Sequence, residues 1–233
     1  MLSGGPPAVG LLLLDTTFQR VPGDVGHPDT WRFPVLRATV RGVDAPLVAR
    51  GGAELAEPFV QAGLALVAQG AVAIATSCGF LAALQPQLAA ALPVPVATSA
   101  LLQLPSVMRL LPPGRTVGIL ASQPGSLAPQ LRALGLPLDL PVAALAEDSA
   151  MLGDLRAGRS PIDTEAHRRD VIAAAGRLLR QHPEVGALVL ECANFPPHSR
   201  ALAAATGLPV FDMVSTVNWL YAALWPWPGE GVD

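Results

Sequence analysis

The sequence predicts an α/β protein of two similar lobes, each a parallel sheet with flanking helices, related by a pseudo-twofold axis with an active-site cleft between them. Three observations carry this expectation. Short continuous apolar runs bounded by Gly, Pro or polar residues alternate with longer Ala/Leu-rich stretches, the pattern of strands buried on both faces and of the helices that cover them. One unit of that alternation occurs twice. Each copy holds one of the chain's 2 cysteines at the same point.

Val9–Leu14, Val72–Ala75, Val94–Ala97, Val117–Leu120, Val142–Leu145, Ala187–Leu190 and Val210–Phe211 read as the buried strands. Between them Ala53–Gln69, Leu81–Leu92, Ser126–Leu134, Pro161–Gln181 and Pro197–Thr206 read as helices. The Pro161–Gln181 helix is the clearest. Ser160 suits the N-cap, Pro161 the first helical position, and Asp163 the positive end of the dipole. Ile172, Ala175, Leu178 and Leu179 then share one stripe, while Arg168, Arg169, Arg177 and Arg180 fall largely off it as a solvated face.

The repeat is a whole unit: strand, cysteine turn, helix, Pro-Val strand. Val9-Gly10 and Val117-Gly118 open equivalent strands, and Cys78 and Cys192 each follow an apolar strand and precede a helix. Seventeen residues after each cysteine stands a Pro-Val pair, Pro95-Val96 and Pro209-Val210. Repetition of a unit is far less accidental than any single motif. The boundary falls near Leu101–Pro113. The tail from Val214 to Trp227 needs a surface for Trp219, Leu220 and Leu224, so it returns to the first lobe. The expected lobes are residues 1–102 plus 212–233, and residues 103–211.

Composition narrows the function. A chain of 233 residues, 51% hydrophobic and 14% charged, buries a substantial core. A net charge of -3 provides no basic field for nucleic acid or anionic lipid. The run Leu11–Leu14 lacks a basic flank and stops at Asp15, unlike a signal peptide. No stretch approaches the roughly 20 apolar residues of a membrane span. The expectation is a cytoplasmic protein with no membrane or nucleic-acid partner, in which the cysteines are free thiols. All 15 basic residues are arginine. Without lysine there is no pyridoxal Schiff base and no P-loop. No His/Cys/acid spacing suggests a metal site.

Ligands in open α/β sheets bind beyond the carboxyl ends of the strands. Asp15, Thr76–Gly79 and Glu191–Asn194 all stand at such ends, and facing lobes bring them to one cleft. At a strand-to-helix turn, free N–H groups and the dipole favour thiolate and also hold a carboxylate. With one cysteine from each lobe, a thiolate removes the proton α to the carboxylate and a thiol on the other face returns one. The competing readings of Cys78 and Cys192 are buried structural thiols or a disulfide, which needs Cα atoms within about 7 Å.

Thr76 and Ser77 read either as donors to a substrate oxygen or as caps of the following turn. Asn194 reads as a helix cap bordering the cleft. Strand alternation aims Glu191 away from Cys192, in a supporting role. Pro22–Pro28, with His27, reads as a loop able to fold over the cleft. His198 reads as a surface histidine or a tuner of Cys192. His167 and His182 read as surface residues, and Asp212 and Ser215 as minor candidates at the last strand end.

Ala75-Thr76-Ser77-Cys78-Gly79-Phe80 and Leu190-Glu191-Cys192-Ala193-Asn194-Phe195-Pro196-Pro197 resemble the two cysteine motifs of the aspartate/glutamate racemase superfamily. Leu14-Asp15-Thr16-Thr17-Phe18, Pro22-Gly23-Asp24-Val25-Gly26, Phe33-Pro34-Val35 and the closing Gly207-Leu208-Pro209-Val210-Phe211-Asp212 extend the resemblance essentially end to end. It implies a cofactor-independent enzyme, a homodimer and a small carboxylate substrate. It further implies Cys78 and Cys192 as the acid–base pair, Ser77, Gly79, Ala193 and Asn194 as the carboxylate-holding residues, and Asp15 as a substrate contact. Glutamate racemases usually carry Cys-Asn-Thr and Cys-Thr-His where this chain has Cys-Gly-Phe and Cys-Ala-Asn, so the resemblance does not point to glutamate. The expected function is a racemase or epimerase acting α to a carboxylate. The alternatives are an arylmalonate-type decarboxylase or isomerase on the same fold, and a non-catalytic small-acid-binding protein.

Overall fold

A computed structural model describes residues 5–52, 55–123, 125 and 127–226. The expected helix starts at Ala53 and Ser126 and the tail residue Trp227 lie outside the described residues. The architecture is the expected one, two four-stranded parallel sheets with flanking helices. The first sheet is built from β1 (Ala8–Leu14), β2 (Val35–Val40), β3 (Ala71–Thr76) and β4 (Val96–Ala97), in the order β2-β1-β3-β4. The second contains β5 (Thr116–Ala121), β6 (Val142–Ala144), β7 (Val185–Leu190) and β8 (Val210–Phe211), in the order β6-β5-β7-β8. The repeat therefore extends to strand order. It also extends to register, because Val9 pairs with Ala73 and Val117 with Ala187, each after a one-residue irregularity.

Side-chain alternation explains why both faces of each sheet are covered. Leu12, Leu14 and Ile74 face α2 (Ala56–Ala68) and α3 (Gln85–Ala91), while Val9, Leu11 and Ala75 meet α9 (Met213–Leu224). In the second lobe Leu120, Leu188 and Leu190 face α6 (Ala150–Ala157), α7 (Thr164–Gln181) and α8 (Ser199–Thr206). Val117, Ile119, Ala187 and Val189 meet α4 (Leu104–Leu110) and α5 (Leu127–Ala133). The paired glycines have a packing cause. A Cβ at Gly10 would stand 2.5 Å from Ile74 Cδ1, and one at Gly118 2.6 Å from Leu178 Cδ2.

After β4 the chain crosses to cover the second sheet with α4, and after β8 it crosses back to cover the first with α9. Gln103 ties the two crossings together, donating to the Asp212 carbonyl (3.0 Å) and to Thr216 Oγ1 (2.7 Å).

Several details depart from expectation. β2 was not foreseen, because this edge strand leaves Arg37 and Thr39 exposed and so lacks an apolar run. α1 (Ala45–Arg50), α4 and α6 are likewise too short to show periodicity. The expected helix Leu81–Leu92 is a 3₁₀ stretch, Gly79–Leu84, followed by α3. The α7 N-cap is Asp163 and not Ser160, because Asp163 accepts from both Glu165 N–H and Ala166 N–H. Trp219 is 72% exposed on the outer face of α9, while Leu220 turns inward.

Candidate active site

The ends of β1, β3 and β7 converge because their ladders stop at matching points. Ser77 N–H donates to the Leu12 carbonyl (3.0 Å), and Glu191 N–H, in the other lobe, donates to the Leu120 carbonyl (2.9 Å). Beyond these bonds the chain turns, and a cavity of about 430 Å³ opens between the lobes. Asp15, Ser77, Cys78, Gly79, Cys192, Ala193 and Asn194 all line it. Thr76 does not. Its hydroxyl donates to the carbonyls of Thr98 (2.6 Å) and Cys78 (3.3 Å), which braces the turn from behind. Ser77 Oγ accepts from Leu14 N–H at 3.3 Å, and Asp15 Oδ2 accepts from Gly42 N–H at 2.9 Å at the cavity rim.

Both cysteines are free and buried. Burial pushes the Cys78 thiol up to about 12, with the Glu191 carboxylate adding to it; the Phe80 and Leu81 N–H groups and Arg20 pull the other way. Burial likewise raises Cys192, again reinforced by Glu191, and here by Cys78 as well. The expectation of turn-lowered thiol pKa values is therefore corrected. Cys78 caps only a six-residue 3₁₀ stretch, and desolvation of the charged form outweighs so small a dipole.

Glu191 is the largest departure within the site. Alternation aims it away from Cys192, yet it lines the same cavity at 1% exposure. β7 ends at Leu190, so the alternation rule no longer applies one residue later. Its Oε2 accepts from Ser122 N–H at 3.4 Å, and burial pushes its carboxyl up to about 8.

Gly79 is one place where the lobes touch, for a Cβ there would overlap the backbone carbonyl and side chain of Glu191. A backbone carbonyl cannot swing aside. Gly79→Ala is expected to cost about 1–3 kcal/mol, the range for overpacking, with a matching fall in thermal midpoint. Gly153→Ala, in α6 with open space at its Cβ, is the control and should be neutral or slightly stabilising. Equal midpoints for the two variants would refute the close contact.

The segment Pro22–Pro28 is pinned rather than lid-like. Asp24 is buried and accepts from Arg20 Nη1, from Gly26 N–H and from Asn194 Nδ2, each at 2.7 Å. Asn194 Oδ1 in turn accepts from Cys192 Sγ at 3.7 Å. Arg20 also donates to Thr16 Oγ1 (3.2 Å), stacks over Phe18 and lines the cavity. The sequence assigned no role to Arg20 or Asp24, since a four-residue spacing within an irregular loop carries no periodic signal; Asp24 stood out only within the Pro22–Gly26 segment of the family resemblance. His27 stands outside the cavity, where its Nδ1 accepts from Asp29 N–H.

His167 and His198 are corrected from surface residues to buried ones. His167 Nε2 lies 2.9 Å from Asp154 Oδ2, and its ring meets His198 edge-on at 6.3 Å. Burial lowers His198 to about 4, keeping it neutral. His182 pairs with Glu184 at the surface. Asp212 and Ser215 form the capping box of α9 and do not line the cavity. Among the described residues no group of three or more His, Cys, Asp or Glu is placed to hold a metal ion, and no helix is long and apolar enough to cross a membrane.

No protein-family model matches the chain. It is 28% identical over 220 residues to a dimethylsulfoniopropionate lyase of Durusdinium sp. clade D, covering 91% of this chain and 73% of that protein. It is 26% identical over 238 residues to dimethylsulfoniopropionate lyase 7 of Emiliania huxleyi, covering 97% and 70%. Among solved structures, a single-substitution mutant of arylmalonate decarboxylase in a sulfate-associated form superposes with a TM-score of 0.66 at 19% identity, covering 97% of this chain and 98% of that one. Allantoin racemase from Klebsiella pneumoniae gives 0.64 at 17% identity (93% and 87%), and a glutamate racemase from Bacillus anthracis 0.58 at 16% (94% and 84%). The fold is the two-lobe fold of these racemases and decarboxylases. Within that fold the lobe-spanning cavity just described is formed by the turns after β1, β3, β5 and β7, by the start of α1 with its cap Asp44, and by α6.

Proposed function

We propose that the protein is a cofactor-independent enzyme that moves a proton at the carbon α to a carboxylate, with Cys78 and Cys192 as its acid–base pair. The observation that carries this reading is the meeting of two free thiols, one from each lobe, in a single cavity. A thiolate on one side takes the α-proton, the planar intermediate forms, and the thiol on the other side returns a proton with inversion. The N–H groups of the turns at Ser77–Gly79 and Ala193–Asn194 hold the carboxylate. Arg20 lowers the cost of the thiolate at Cys78. Asp15 and Asp44, both exposed at the cavity rim, favour a substrate that also carries a positive group. On this reading the reaction is racemisation or epimerisation.

A second reading is favoured by the relatives named dimethylsulfoniopropionate lyase. The first step is the same. If a leaving group stands on the β-carbon, the electron pair of the broken C–H bond forms the new C=C bond as the leaving group departs. From dimethylsulfoniopropionate this yields dimethyl sulfide, acrylate and the proton held by the thiol. One thiolate suffices for it.

Incubation in D₂O with separate enantiomers of amino acids, hydroxy acids and hydantoins, and with dimethylsulfoniopropionate, tests both readings. Racemisation places deuterium at the α-carbon of the product enantiomer, seen by proton NMR. Elimination releases dimethyl sulfide, seen in the headspace. Neither α-deuteration nor elimination across such a panel would sink the proposal and leave a small-acid-binding protein.

A further inference from the structure

We infer that Glu191 works as a neutral carboxylic acid that donates a hydrogen bond to the substrate's carboxylate, a bond that strengthens as negative charge gathers there when the α-proton leaves. This rests on the proton-transfer reading above and adds to the site a third group, distinct from the two thiols.

The charges around the cavity favour a neutral donor of this kind beside the turn N–H groups. The basic side chains lining it are Arg20 and Arg156. Arg20 is bonded to Asp24 at 2.7 Å and Arg156 to Glu147 at 3.0 Å. Arg20 is thereby tied to a buried carboxylate, while Arg156 stands at the exposed side of the cavity in a weak surface pair. Asp15 and Asp44 add negative charge at the rim, each accepting a backbone N–H, from Gly42 and Leu47. Facing Glu191 are Cys78 from the turn after β3, Ser122 from the turn after β5, and Cys192 next in the chain. Arg20, Asp15, Asp44 and Arg156 stand round the rest of the cavity.

Among the described residues Glu191 has no ion-pair partner, and the Ser122 N–H is its hydrogen-bond donor. An ionised Glu191 in this place would repel a substrate carboxylate and oppose a thiolate at either cysteine. A neutral one does neither and offers an O–H. Such a donor, in a site dried by burial, is worth most where charge develops. Its elevated proton affinity, up to about 8, agrees with that state at neutral pH.

In the step itself the α-proton passes to the thiolate Sγ, and the C–H electron pair moves into the carboxylate to give an enediolate. Glu191 keeps its proton throughout, sharing it along the hydrogen bond. Either the second thiol then protonates the carbon or a β-leaving group departs.

The test compares Glu191→Gln, which keeps a donor and cannot titrate, with Glu191→Leu, which fills the space without one. Wild-type turnover should rise with the thiolate fraction and level off past about pH 8, where ionisation of Glu191 offsets the further gain in thiolate at a cysteine raised to about 12. E191Q should lose about tenfold at pH 7, since a weaker neutral donor remains, and should go on rising with pH where the wild type levels off. E191L should lose about 10²–10³-fold in kcat, the range for removing one such donor, with KM changed much less. E191Q as inactive as E191L, or levelling off near pH 8 like the wild type, overturns the inference in favour of a base or a purely structural carboxyl.

A second readout needs no substrate. At pH 7 the wild-type infrared spectrum should contain a protonated-carboxyl C=O band that E191Q lacks, fading above about pH 8. Absence of that band overturns the inference alone. An enzyme that has the band but exchanges no α-proton overturns the proton-transfer reading and this inference with it.

Discussion

Cys78→Ser and Cys192→Ser each lower racemisation by about 10²–10⁴-fold, the contribution of one positioned acid–base group. Serine keeps the shape, but its hydroxyl is a far weaker acid than a thiol already raised by burial to about 12 at Cys78. The residual activities should be asymmetric. With one thiol left, the enantiomer whose α-proton faces it still exchanges with D₂O, and its mirror image does not. The two variants should therefore show opposite preferences when each enantiomer is followed separately by NMR. For an elimination, only one of the substitutions should stop product release, because a single base acts. Wild-type racemisation in both single variants would falsify the paired-thiol mechanism. Slow alkylation of both thiols at neutral pH is the accompanying expectation, since so little of either is thiolate.

Asp24→Ala should be the most destabilising single change in the site region. It leaves Arg20, the Gly26 N–H and the Asn194 amide without their shared acceptor. Breaking a buried pair costs about 3–5 kcal/mol, and the partial exposure of Arg20 argues for the lower end. At about 2–4 °C per kcal/mol for a chain of this length, the thermal midpoint should fall by roughly 6–12 °C. The effect should reach the chemistry too, because Asn194, once freed, no longer holds its oxygen towards Cys192 Sγ. Thermal unfolding of Asp24→Ala, Arg20→Met and the double variant measures the coupling. Strict additivity of the two single changes would show that the pair is not a unit.

The parts of the fold that were legible in sequence are those with strong periodic or repeated signals. The central strands β1, β3, β5 and β7 are continuous apolar runs because helices cover both faces, and the equivalent cysteines and Pro-Val pairs give their correspondence. The edge strand β2 was hidden because Arg37 and Thr39 point to solvent. His167 looked like part of a charged helix face. Its burial depends on Asp154, which α6 brings within 2.9 Å, and no local pattern announces a partner 13 residues away.

By itself the sequence determined the two-lobe parallel α/β plan, the placement of Cys78 and Cys192 at matching strand ends, and the absence of any lysine for Schiff-base chemistry. Those follow from local rules: alternation, turn residues, composition and repetition. Tertiary structure alone decided the environment of those thiols. Desolvation in a shared cavity raises both where an isolated turn would lower them. The end of β7 at Leu190 swings Glu191 in beside them. The Arg20–Asp24–Asn194 chain of bonds locks a loop of one lobe onto the cysteine turn of the other. Burial and long-range charge are properties of what surrounds a residue, and the surroundings here come from segments up to 170 positions away.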